Sequence, residues 1–221
     1  MLSALEGVIR RRLLLNFRMD PGLVAPLLPE PLEVLTHSRL AIVGVCLIGI
    51  ERLRPKGLPS WLGLRSENMA HRIAIRYPTS TGMSDGVFIW RRDTDHCLVS
   101  LLGGRLFPGV HQSAAFTIDD SENRISICVR THDGAADVRF EASYGNEWHS
   151  QSVFSGLDDA AEFRWEMSPL HVNELHSAFF QSGERFPVKA VQFDCALLMR
   201  GIPHEWHEVS DVPELAGAIQ K

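Results

Sequence analysis

Ala41-Ile-Val-Gly-Val-Cys-Leu-Ile-Gly-Ile50 runs for ten residues without a charge, and its apolar side chains fall on both alternating sets of positions. A strand with one wet face alternates apolar with polar residues, whereas one that is apolar on both sides is covered above and below. Ten residues are too few to cross a bilayer as a helix. The stretch therefore reads as the central strand of the core.

Outward from it, β-branched and aromatic residues recur in short runs broken by Gly, Pro, Asp and Ser. These predict strands over residues 8–17, 40–51, 70–77, 87–92, 110–119, 124–131, 136–143 and 188–200. In two of them the alternation is plain: Ile73, Ile75 and Tyr77 against Arg72, Ala74 and Arg76, and Ile125, Ile127 and Val129 against Arg124, Ser126, Cys128 and Arg130. Helices are fewer. One is expected over 21–28, with Asp20 as N-cap and Pro21 at the first position, one over 95–102 ended by Gly103 and Gly104, and one over 158–164. The fold class is mainly β (α+β). With no repeat or linker, the 221 residues are expected to form a single domain, 1–221.

A net charge of −5 supplies no general basic field for a phosphate backbone, so no nucleic-acid partner is expected. Lys56, Lys189 and Lys221 are the lysines among 22 basic residues, which leaves 19 arginines. Arginine offers a planar fork for carboxylates, while so few lysines leave few candidates for amine chemistry. Cys46, Cys97, Cys128 and Cys195 are scattered without a C-x-x-C pair and read as reduced core residues. Arg10, Arg11 and Arg12 follow the first apolar residues, the wrong order for a secretory signal, and no stretch is long enough for a membrane helix. A cytoplasmic protein without a membrane partner is expected.

Several motifs have plainer readings. Gly82-Met-Ser84-Asp-Gly86 spells G-x-S-x-G, but a strand follows where a nucleophile elbow needs a helix, so residues 78–86 read as a turn-rich β connection. Gly104 to Gly109 has Walker-like spacing, yet Val110 and His111 stand where the phosphate-binding Lys and Ser/Thr belong. His171 with His176, and His204 with His207, do not match H-E-x-x-H; no metal site is assigned, and polar surface is the expected role. The chemically dense region runs from Ser66 to His111. There Glu67, Arg92 and Arg105 could line one cavity with an arginine fork and a carboxylate, or each arginine could simply pair with Asp93, Asp95 or Glu67.

Residues 14–21 (LLNFRMDP) and 27–32 (LLPEPL) resemble the opening of the acetoacetate-decarboxylase-like superfamily. Residues 54–59 (RPKGLP), Ser66-Glu67-Asn68 with Ala70-His71-Arg72, Arg91-Arg92-Asp93-Thr94 and residues 103–111 (GGRLFPGVH) resemble the YqjF-like family of unknown function within it. The match covers roughly the first half of the chain; beyond about Asp120 it rests on strand pattern. The resemblance implies an acetoacetate-decarboxylase-like barrel of antiparallel strands with a few short helices and an interior pocket. The superfamily's decarboxylases hold a β-keto acid there as an imine on a lysine, in a motif Gly-Arg-Glu followed by Gly-Phe-Pro-Lys-Lys. In this chain Leu106 stands for the Glu, and Gly109 with Val110 for both lysines. The resemblance carries the motif arginine over to Arg105 and the carboxylate before the earlier strand to Glu67.

The resulting expectation is a pocket for a small organic acid, with Arg92, Arg105 and Phe107 binding it and Glu67 or His71 exchanging a proton. His111 is an alternative acid or base, because histidine titrates near neutrality. No cofactor is implied, and any reaction would be lyase- or hydratase-like. Two alternatives stand beside it: a non-catalytic metabolite-binding module, and an imine-forming decarboxylase or aldolase using Lys189, which shares strand parity with Val191, Phe193, Cys195 and Leu197. Exposed sheet edges also leave a route to a homo-oligomer.

Overall fold

The computed structural model describes residues 4–102, 111–145, 148, 150–160, 168–177 and 191–207. Among them the strands are β1 (Ala4–Met19), β2 (Glu33–Val34), β3 (Thr36–His37), β4 (Leu40–Pro55), β5 (Leu64–Thr79), β6 (Gly82–Thr94), β7 (His111–Asp120), β8 (Arg124–Thr131), β9 (Asp137–Tyr144), β10 (Ser168–Ser177) and β11 (Gln192–His207). The short helices are α1 (Pro21–Val24), α2 (Cys97–Leu102) and α3 (Leu157–Ala160). Asp20 caps α1, its Oδ1 accepting the Gly22 N–H at 2.7 Å. The turn continues as 3₁₀ over Ala25–Leu27, so residues 21–28 are one α turn and one tighter turn.

β4 holds the central place that its sequence requires: it pairs antiparallel with β1 on one side and β5 on the other. From β5 the pairings run on through β6, β7, β8, β9, β10, β11 and β1, and so return to β4 in a barrel-like sheet. Two joints are thin. Among the described residues, the parallel β6–β7 contact spans Arg92 to Thr94, and β10 meets β11 at Ser168 and Pro169.

Alternation then divides the apolar residues into two cores. The inner face buries Leu13 and Leu15 of β1, Val43, Val45 and Leu47 of β4, and Met69, Ile73 and Ile75 of β5 against Ile125, Ile127, Val138 and Phe140 of the facing strands. The outer face buries Leu14, Cys46, Ala70, Cys195, Leu197 and Met199, with Trp148, Phe154, Leu157 and Ala160 packed against them. β8 keeps its predicted alternation: Ile125, Ile127 and Val129 are buried while Arg124 and Arg130 are exposed.

Three expectations need correction. Gly82 to Gly86 is not a loop but the start of β6, and the turn is confined to Ser80 and Thr81. Here β6 is bonded to β5 alone, so residues that disfavour a central strand are tolerated. β10 was not anticipated at all. Cys97 is exposed and Cys128 half-buried, so only Cys46 and Cys195 of the four free thiols are core residues. Burial, then the neighbouring Asp194, push the Cys195 thiol up to about 12.

Gly44 and Gly49 interrupt the side-chain rows of β4. Asn16, Gly44 and Arg72 lie opposite one another on β1, β4 and β5, and so do Arg11, Gly49 and Glu67. Strands once removed are about 10 Å apart. Over a glycine, a long side chain from β5 can still reach β1: Arg72 Nη2 donates to Asn16 Oδ1 on the outer side, and Arg11 Nη2 donates to Glu67 Oε2 on the inner side. A Cβ at Gly44 would collide with the Leu15 carbonyl oxygen, which as backbone cannot swing away. Gly44→Ala should therefore lower stability by about 1–3 kcal/mol in urea unfolding. Gly145→Ala, where a Cβ meets nothing within 4 Å, should stay within about 0.5 kcal/mol of the parent.

Candidate functional site

Against β4, Ile9 and Arg11 are in register with the consecutive residues Ile50 and Gly49, so Arg10 has no counterpart there; against β11 they pair with Ile202 and Arg200 and the register is kept. Arg10 is thus the extra residue of a β-bulge, a distortion that re-aims adjacent side chains. Its effect is to bring two consecutive arginines to one carboxylate. Arg10 Nη2 donates to Glu67 Oε1 and Arg11 Nη2 to Glu67 Oε2, each at 2.6 Å. Gly49 lies beneath them; a Cβ there would sit 3.0 Å from both Arg10 Nη2 and Glu67 Oε2. Asp95 Oδ1 accepts the Glu67 backbone N–H at 2.8 Å and fixes the start of this row.

Arg11 is 1% exposed, and its Nε and Nη1 are buried without a hydrogen-bond partner among the described residues. Burial pushes its guanidinium below the ordinary arginine value, with Glu67 opposing that shift. Asp120 contributes to the field at Arg11 and is itself held by Arg200, Nη1 to Oδ2 at 2.8 Å and Nη2 to Oδ1 at 2.7 Å, and by the Tyr144 hydroxyl. Arg10, Arg11 and Arg200 face Glu67 and Asp120, so three guanidinium groups meet two carboxylates. Among the described residues one positive charge is left over.

Glu67, Met69 and His71 are successive inner-face residues of β5. His71 and Asp93 are both wholly buried and joined at 2.9 Å, with the His71 ring edge-on to Trp90. Arg91 donates from Nε and Nη2 to Asp93 Oδ1 and reaches Asp133 at the surface. Asp133 is held well below the usual carboxylate range by the Arg91 hydrogen bonds.

Arg92 is elsewhere. It lies opposite Ala70 of β5, whose side chain packs in the outer core, and cross-strand partners point the same way. Arg92 therefore does not share a face with Glu67, and the expected cavity of Glu67, Arg92 and Arg105 is not assembled through Arg92. Burial alone lowers the Arg92 guanidinium pKa, and it makes no ion pair among the described residues. His111 is the register partner of Arg92, half-buried, with its carbonyl accepting from Ser100 Oγ at 2.9 Å. Arg105, Phe107 and Lys189 lie outside the described residues. Among the described residues no group of three or more His, Cys, Asp or Glu could hold a metal ion, and no helix is long and apolar enough to cross a membrane. His204 lies within β11 opposite Gly7 of β1.

The residues missed from the sequence are Arg10, Arg11 and Arg200. The signal was present: three consecutive arginines inside an apolar strand must send at least one to a buried face.

Tyr144 and Asp120 make the cluster pH-sensitive in a defined direction. Burial and then the Asp120 hydrogen bond push the Tyr144 hydroxyl up to about 12. Burial raises the Asp120 carboxyl, but hydrogen bonds from Arg200 and Tyr144 outweigh it and carry the group below its ordinary value. The Tyr144 contribution is complete below the unfolded value near 10 and is lost as pH rises through the folded one. The Asp120 contribution is complete above the unfolded value near 3.8 and is lost as pH falls. In a Tyr77→Phe protein, where Tyr144 is the remaining tyrosine, the 295 nm titration should have its midpoint near 12. Adding Arg200→Gln and Asp120→Asn should bring it back toward 10.

With this geometry in view, comparisons place the chain. The family model DUF2071, uncharacterized conserved protein, matches residues 8–182. No curated protein matches the sequence. Among solved structures, an acetoacetate decarboxylase-like enzyme from Sphingomonas wittichii RW1 is similar at TM-score 0.58 and 13% identity, over 91% of this chain and 93% of that one. Acetoacetate decarboxylase from Legionella pneumophila gives TM-score 0.51 and 14% identity over 91% and 87%. The enduracididine biosynthesis enzyme MppR complexed with pyruvate gives TM-score 0.52 and 12% identity over 94% and 90%. The chain belongs to the DUF2071 family and has the acetoacetate-decarboxylase-like fold.

Proposed function

We propose that the protein binds a small organic acid on the inner face, with its carboxylate on Arg11. One observation carries this reading: a guanidinium that is 1% exposed keeps two buried donors unengaged, in a cluster with one positive charge in excess. Buried donors left unmade are costly, and a carboxylate supplies an acceptor for one of them together with the missing charge. Arg11 thus takes the anchoring role expected of Arg92; Arg105 and Phe107 remain proposed ligand contacts. Glu67, held by Arg10 and Arg11 through both oxygens, is the proposed proton acceptor nearest the anchor, and His71 with Asp93 the second proton-exchanging group. A structural neighbour complexed with pyruvate makes keto acids the first ligands to try.

The test is calorimetric titration with pyruvate, acetoacetate and short hydroxy acids. Arg11→Met leaves Glu67 paired with Arg10, so the fold should survive, which circular dichroism checks. It should weaken the best ligand at least about tenfold, near 1.4 kcal/mol, while Arg92→Ala should change little. Unchanged affinity in Arg11→Met would reject the site. Turnover of the ligand, followed by NMR, would support a lyase-like enzyme, and tight binding without turnover the binding module. Imine chemistry at Lys189 predicts a borohydride-trapped mass adduct with a keto acid that Lys189→Ala removes; an absent adduct discards that route.

A further inference from the structure

On the outer face, away from Arg11 and Glu67, a cavity of about 240 Å³ lies between the sheet and the segment containing Phe154 and α3. Its lining includes two arginines, Arg12 of β1 and Arg72 of β5. Arg72 is steadied across Gly44 by Asn16, and Arg12 Nε donates to Cys46 Sγ at 3.2 Å. The walls are apolar, from Leu14, Ile42 and Met199, and Phe154 contributes the roof.

The roof is fastened. Asp194, wholly buried, accepts Ser152 Oγ at 2.7 Å and the Val153 N–H at 2.8 Å. His37 Nε2 lies 3.1 Å from the Val153 carbonyl, its ring against Phe154 at 4.6 Å. The Trp148 indole N–H donates to the Phe154 carbonyl at 3.1 Å. The space is therefore bounded by fixed groups.

We infer that this cavity is a second ligand site, for a monocarboxylic acid with an apolar aryl or branched alkyl body. The carboxylate lies against Arg72 and Arg12, and the body fills the space beside Leu14, Ile42 and Phe154. An apolar cavity of about 150 Å³ holds benzene, so 240 Å³ suits a ligand of about ten non-hydrogen atoms. The site shares no residue with the inner cluster, and it stands whether or not that cluster binds an acid.

Phenylacetate is the probe, titrated by NMR up to about 10 mM against the full chain, with phenylacetamide as its neutral counterpart. Saturable binding is expected, weakened at least about tenfold in Arg72→Met and, with every charge retained, in the cavity-filling Ala74→Leu. Arg11→Met should bind it as the parent does. No binding to the parent, equal binding of the amide, indifference to both outer-face variants, or loss in Arg11→Met would each overturn the proposal. Because Ala74→Leu keeps the Arg72–Asn16 contact, a folding defect of Arg72→Met does not decide the result.

Discussion

Polar contacts from β1 to β5 depend on the absence of side chains at Gly44 and Gly49 of the strand between them. Without those gaps Arg72 would not reach Asn16, and Glu67 would not reach Arg11. Gly44 and Gly49 differ by an odd number of residues and so serve opposite faces of one strand. That is why a single central strand organises a charged cluster inside the barrel-like sheet and a guanidinium-lined cavity outside it. The cost is a weaker strand at two positions, offset by the continuous pairing of β4 on both edges.

The same arrangement explains how three adjacent arginines part company. The bulge at Arg10 keeps Arg10 and Arg11 together on Glu67, and Arg12 then turns to the outer face. Burying Arg11 is tolerated because Glu67 is already there, yet desolvation still exceeds what Glu67 returns to it. A guanidinium held so, with donors to spare, is suited to a ligand that brings its own negative charge.

Much of the fold was legible because it rests on local pattern. The uncharged run of residues 41–50 could only be a doubly covered strand, and the alternation in β5 and β8 fixed which residues face inward. β10 was hidden because its residues are mixed and a bulge between Val172 and Glu174 breaks its period. The site was less legible, for a different reason. Glu67 lay before the expected strand 70–77 and was singled out by the charge cluster and the resemblance, and the inward-facing member of the Arg91–Arg92 pair depends on an irregularity beside Trp90 that no composition reveals. Arg11 joins Glu67 only through three-strand register, a relation 56 residues apart in sequence. Gly44 and Gly49 looked like small members of an apolar run, and their role appears only when both neighbouring strands are in place.

The most direct measurement is a double-mutant cycle between Arg11→Met and Glu67→Gln, read by urea unfolding. If contact over Gly49 couples β1 to β5, the two changes should interact by about 1–3 kcal/mol, and the coupling should shrink when the cycle is repeated in a Gly49→Ala background. Additivity within about 0.5 kcal/mol in the parent background would contradict the account, because it would mean that the inner cluster is not held by this crossing.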